Sequence, residues 1–168
     1  MKINVYFPIG ILSILLALGS GCATTDLVTG KSVQNAYSFD EDIELGKSFY
    51  KETVGELKKE KTPINQDPVR VALVKEVTHN ITSVAGITNF PYAATYVGDP
   101  EIVNAYAFPG GNVMVFEGLW DEKEGLVKTV DELAAVIGHE IAHVNCRHST
   151  EAMTREMLPN LLLAGGLI

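Results

Sequence analysis

Cysteine, basic charge and long apolar runs are all scarce in this sequence, and each scarcity excludes something. There are two cysteines in 168 residues, Cys22 and Cys146, too few for a disulfide framework even in an oxidising compartment. Lysine and arginine total 13 against 21 acidic residues, a net charge of −8. A chain of that sign with no basic cluster lacks the positive footprint that nucleic-acid binding requires. The short basic run Lys58–Lys61 reads as a solvated helix face. The main apolar run, Ile9 to Leu18, is shorter than the roughly 20 residues a membrane-spanning helix needs. No repeat or low-complexity tract is visible, and four histidines make that residue rare enough to be informative.

The N-terminus has a directional layout. Lys2 precedes the apolar run, and the small residues Gly19, Ser20 and Gly21 lead to Cys22, the order of a secretory signal peptide. The segment resembles a bacterial lipoprotein processing site, with the usual leucine displaced by one place to Leu18. Residues 1–21 are therefore expected to be a signal peptide and Cys22 a lipidation site. Acyl chains there would hold the protein on a membrane surface without spanning it. In lipoproteins resembling this one, the non-Asp Ala23 points to the outer membrane. With Cys22 so occupied, Cys146 is unpaired and is read as an ordinary helix side chain.

Residues 22–39 are polar and turn-rich and are read as a tether, with the domain proper running from 40 to 168. Asp40 is expected to cap a helix to about Lys59. Asp67 followed by Pro68 is an N-cap and first-turn pair for a second helix, in which Val69, Leu73, Val77 and Ile81 recur every four residues to about Gly86. His79 lies off that stripe and reads as structural. Strands are expected around Tyr92–Val97, Asn104–Phe108 and Asn112–Phe116, with the last two joined across Pro109-Gly110-Gly111. A long helix starts near Thr129, with Asp131 and Glu132 in its first turn. It has no glycine or proline between His139 and Met157 and is expected to run past Arg147, with Pro159 ending or restarting it. The class is α+β, mostly helical with a small antiparallel sheet.

The chemistry lies in His139-Glu140-Ile141-Ala142-His143. On a helix, residues four apart leave the same face, their side chains about 6 Å apart, so two imidazoles can share one tetrahedral zinc. Glu140, about 100° round the helix, can reach a water instead of the metal. This is the division of labour of a zinc peptidase, in which the carboxylate is the general base. An otherwise apolar helix carrying three such residues is expected to have a use for them. A third ligand is harder to find. The extended H-E-x-x-H-x-x-G-x-x-H pattern needs glycine at 146 and histidine at 149, which here are Cys146 and Ser149. On a continuous helix His148 points about 180° from His139, and Glu151 and Glu156 lie too far along the axis. Glu101 and Glu117 fall in the β region with no motif to recommend them.

Three blocks in order, "VTGKSVQNAYSFDEDIELGKSFY", "VNAYAFPGGNVMVFEGLW" and "DELAAVIGHEIAHVNCRH", resemble the gluzincin zinc metallopeptidases of family 48, the group of HtpX- and BepA-like periplasmic lipoprotein endopeptidases. The resemblance covers most of the chain after Cys22. It implies a zincin-like domain with one Zn2+ per subunit, His139 and His143 as ligands and Glu140 as general base. It also implies that Asn104, Ala105 and Tyr106, on a strand beside the cleft, pair with extended polypeptide substrates. The family's third ligand is a glutamate on a later helix, for which nothing after His143 is a counterpart. The domain is accordingly expected to be incomplete at its C-terminus. Arg147 and His148 match the family's Arg-His pair, with a structural or supporting part. The implied activity is a metalloendopeptidase acting on misfolded or misassembled proteins of the bacterial cell envelope, on its periplasmic side. The alternative is a non-catalytic lipoprotein of the same fold that binds unfolded chains.

Overall fold

A computed structural model of the chain describes residues 23–87, 89–120 and 125–164, with side chains to Met157. The expected signal peptide and Cys22 lie outside the described residues. Two short strands, β1 (Ala23–Thr25) and β2 (Ser32–Gln34), pair antiparallel. Then come helix α1 (Phe39–Lys59), helix α2 (Pro68–Val84), strands β3 (Ala93–Val97), β4 (Ala105–Ala107) and β5 (Asn112–Phe116), a single 3-10 turn (Glu117–Leu119), and helices α3 (Val130–Asn145) and α4 (His148–Ala164). The mixed α+β class holds. No helix among the described residues is long and apolar enough to cross a membrane.

Local signals start the helices. α1 is capped by Ser38, whose hydroxyl accepts the Glu41 N–H while the Glu41 carboxylate accepts the Ser38 N–H. This reciprocal box satisfies two orphan donors and displaces the expected cap, Asp40, into the first turn. Asp67 caps α2 by accepting the N–H groups of Val69 and Arg70. Thr129 and Glu132 form a second box at the start of α3.

The three-stranded sheet has the order β3-β5-β4. It is mixed and not antiparallel as expected: β4 runs antiparallel to β5, but β3 runs parallel to it. Two reversals of direction, through the loop after β3 and through the Pro109-Gly110-Gly111 turn, return the chain to the direction of β3, and β5 inserts between the other two. As the central strand, β5 is covered on both sides, which accounts for its unbroken Val113-Met114-Val115-Phe116 run. Val113 and Val115, with Ala94 and Tyr96, face α2 and α3 through Val74, Val77, Leu133, Ile137 and Ile141. Met114 and Phe116, with Val97 and Phe108, face α1 through Leu57 and its neighbours Tyr50 and Val54. The sheet is therefore sandwiched between α1 and the α2–α3 pair. Val69, expected on the core stripe of α2, is instead 75% exposed at the first turn.

Two glycines allow α1 to close on the β4–β5 turn. A Cβ on Gly46 would stand 1.7 Å from the Pro109 carbonyl oxygen, and one on Gly110 (φ +77) would stand 2.6 Å from the Ile43 Cα.

Two expectations fail in the same region. The expected tether, residues 22–39, is not loose where it is described. Asn35 donates to the Thr150 hydroxyl at 3.0 Å and the Ala36 N–H to that of Thr154 at 2.9 Å, so the hairpin is bound to α4. Nor does the helix that starts at Thr129 run past Arg147. It stops at Asn145, Arg147 adopts φ +56, and α4 begins at once and continues through Pro159 to Ala164. A non-glycine residue in the left-handed region is unfavourable by itself, and Arg147 is held there by tertiary partners. Its Nε donates to Asp42 Oδ2 at 2.5 Å, its guanidinium donates to the Tyr37 carbonyl, and it lies 4.5 Å from the centre of the Phe39 ring.

Candidate metal centre

Helix α3 divides into two faces. Leu133, Ile137 and Ile141 are buried against the sheet and α2, and Val144 is buried as well, which orients the opposite face outward. His139 is on that open face and is exposed, and His143, one turn on, is half-buried; Glu140, about 100° round the helix from His139, is also half-buried. The site is therefore a surface cleft and not the buried face expected from an apolar helix.

The two imidazoles converge. His139 Nε2 and His143 Nε2 are 3.0 Å apart, and their ring centroids are 4.6 Å apart, closer than the expected side-chain separation. Two nitrogens bound to one tetrahedral zinc at about 2.0–2.1 Å would stand about 3.3 Å apart. A small opening of the pair therefore accommodates the ion, and this donor set fits two ligands of a zinc site.

The break at Arg147 adds a residue that the sequence reading sent to the far side. His148 turns back so that its Nδ1 is 2.8 Å from Nδ1 of His143. When His143 uses Nε2 as a ligand, its proton is on Nδ1, and His148 Nδ1 is placed to accept it. That contact selects the tautomer and fixes the ring, the usual work of the partner behind a metal-binding histidine. Behind His148 stands the hairpin. The Asp26 carboxyl is held below its ordinary range first by the Thr29 N–H, with the Val28 N–H acting in the same direction. Burial pushes the Cys146 thiol up, and the nearby Asp26 pushes it further. A raised thiol is a poor nucleophile, which agrees with a passive role for Cys146.

The other acidic candidates are dispersed. Glu117 stands against Tyr96, whose phenol is pushed up to about 12 chiefly by burial. Glu101 is exposed in the β3–β4 connection, and Glu151 and Glu156 are carried away along α4. Among the described residues no group of three His, Cys, Asp or Glu side chains could hold a metal ion.

Strand β4 borders the cleft, with Ala107 and His143 lining one small cavity. The Phe116 N–H donates to Asn104 O, and the Phe108 N–H to Asn112 O. By antiparallel alternation residues 104, 106 and 108 bond inward to β5, leaving the N–H and C=O of Ala105 and Ala107 on the outer edge. No described strand pairs with that edge. Of the three residues implied to bind substrate, only Ala105 turns its backbone outward. The Tyr106 side chain is directed to the α1 face, where its hydroxyl meets Met114 Sδ at 3.4 Å.

The sequence pattern of Peptidase family M48 matches residues 68–168, from the start of α2 onward. The chain belongs to peptidase family M48. The mitochondrial metalloendopeptidase OMA1 of Schizosaccharomyces pombe is 34% identical over 132 residues, covering 77% of this chain and 37% of that protein. The beta-barrel assembly-enhancing protease of Escherichia coli is 27% identical over 124 residues, covering 74% of this chain and 23% of that protein. The chain thus spans between about a quarter and about a third of the length of these relatives. Members of family M48 are in general zinc-dependent peptidases.

Proposed function

We propose that the protein is a zinc-dependent metalloendopeptidase with one Zn2+ per subunit, held by His139 and His143. Its substrates are then misfolded or misassembled polypeptides of a bacterial cell envelope, met on the periplasmic side of the outer membrane. A lipid on Cys22 would supply the membrane attachment. The observation that carries the reading is the 3.0 Å convergence of the Nε2 atoms of His139 and His143 on the open face of α3.

When bound, zinc supplies a Lewis acid that polarises a peptide carbonyl and acidifies water. The protein's own residues supply the rest. Outward backbone groups of Ala105 and Ala107 pair with an extended substrate and present its peptide bond to α3. The Glu140 carboxylate takes the proton of the attacking water and delivers it to the departing amine nitrogen. His148 holds the His143 proton at Nδ1.

The test uses the purified chain, measuring bound zinc and cleavage of unfolded casein. Glu140→Gln is expected to retain zinc and to lose about 10²–10⁴-fold in rate, the range for general acid–base catalysis. Undiminished cleavage in that variant would refute the mechanism. Metal-free protein that still binds unfolded casein would favour the non-catalytic binding module.

A further inference from the structure

The free edge of β4 separates two different surfaces. On one side of the sheet Ala105 and Ala107 pack toward α3, the helix of the histidine pair. On the other, Tyr106 and Phe108 pack toward α1, and there a groove of about 340 Å3 opens between α1 and the strand. Phe49, Thr53, Phe108 and Pro109 line it, with Glu52 and Glu56. Ala107 and Ser149 also border it, so it adjoins the small cavity lined by His143.

Glu52 and Glu56 are both exposed, one turn apart on the same helix face. Like charges at that spacing destabilise a helix, and among the described residues neither forms an ion pair with lysine or arginine. An apolar channel with two carboxylates matches a side chain that has a hydrocarbon stem and a cationic head. A peptide extended along β4 directs alternate side chains to opposite faces of the sheet. Every second one therefore enters this groove while the others face α3.

We propose that the groove between α1 and β4 is a specificity subsite that takes a lysine or arginine side chain from a bound extended peptide. The inference rests on reading the cleft as a peptide-cleaving site, and it adds the chemical class of residue selected there.

The test uses fluorescein-labelled hexapeptides of alanine, valine and threonine, in which Lys, norleucine or Glu is scanned along the sequence. Binding to the zinc-loaded Glu140→Gln chain is followed by fluorescence polarisation. Lysine is expected to bind about 2- to 5-fold more tightly than norleucine, the upper part of the range for exposed ion pairs, and only at alternate positions. The variant Glu52→Gln/Glu56→Gln should lose that preference with norleucine affinity unchanged. A lysine preference of equal size at every position would overturn the subsite, because attraction by the net acidic chain would then suffice. Equal binding of the three residues, no binding at all, or a preference that survives the double substitution would overturn it too. Cleavage of the norleucine peptides by the unsubstituted chain tests the parent reading separately. Cleavage without an alternating preference removes the subsite alone, whereas an alternating preference without cleavage removes the peptidase reading and leaves a binding groove.

Discussion

Replacing Asp42 by asparagine keeps the side-chain volume and removes one charge, so it isolates the ion pair that holds Arg147. The two side chains are only 3% and 2% exposed and meet at 2.5 Å. An exposed pair would contribute about 0–1 kcal/mol. Removing one partner of a buried pair costs about 3–5 kcal/mol, because the remaining charge stays desolvated without compensation. Arg147 cannot easily escape to solvent, since its guanidinium also donates to the Tyr37 carbonyl and stacks over Phe39. We therefore expect Asp42→Asn to lose about 3–5 kcal/mol, a large part of the roughly 5–15 kcal/mol that stabilises a domain. With a urea dependence of about 2 kcal/mol per molar, the midpoint should fall by about 2 M. Urea titrations followed by circular dichroism at 222 nm measure this, and Asp42→Leu/Arg147→Met should recover much of what Asp42→Leu alone loses. A loss under about 1 kcal/mol for Asp42→Asn, or strict additivity in the double variant, would refute the argument.

Three further outcomes follow from other contacts. His148→Ala should weaken zinc binding about 10- to 100-fold in a chelator competition, the usual cost of removing the partner behind a ligating histidine; an unchanged affinity would dismiss its orienting role. Gly46→Ala should cost at least about 1–3 kcal/mol, because its Cβ meets the backbone oxygen of Pro109 at 1.7 Å and neither backbone gives way cheaply. Gly55→Ala on the same helix meets nothing within 4 Å and should raise stability by about 0.5–1 kcal/mol, so thermal melts of the pair should move in opposite directions. The Glu132 carboxyl is held below its ordinary value of 4.5, mainly by the N–H groups of Lys128 and Thr129. A depressed carboxylate stabilises the fold above its unfolded-state pKa and loses that contribution as pH falls through the folded value. The melting difference between the unsubstituted chain and Glu132→Gln should therefore be present at pH 7 and close as the pH falls below 4.5 through the depressed folded value.

Features encoded within a few residues could be read from the sequence. Asp67-Pro68 announces α2, Pro109-Gly110-Gly111 announces a hairpin, and the β-branched and bulky residues of Asn112–Phe116 after that turn mark β5 to the residue. The candidate site was legible in the same way, because the four-residue spacing of His139 and His143 is itself a helix-surface distance. Ser38 could have been preferred to Asp40 as the cap of α1, since Ser38-x-x-Glu41 is a complete capping box and no comparable partner exists for Asp40. The direction of β3 was harder to read, since nothing inside Ala93–Val97 records which neighbour it joins or how many reversals intervene.

The break after α3 was not legible for a different reason. Helices that end in a left-handed residue usually use glycine, and occasionally asparagine, because a Cβ is disfavoured there. Cys146-Arg147-His148 carries no such mark, and what stabilises Arg147 lies 105 residues away at Asp42 and 110 away at Tyr37. The same distant segment explains why residues 22–39 looked like a tether: their acceptors, Thr150 and Thr154, are 115 and 118 residues on, in α4. These are two views of one assembly. The hairpin and the first turns of α1 hold Arg147 and α4, Arg147 sets the turn, and the turn delivers His148 to His143. A helix-only reading of His139–His143 therefore finds the two converging nitrogens but misses the group that orients one of them. That orientation is decided by the packing of α1 and not by the spacing of histidines along α3.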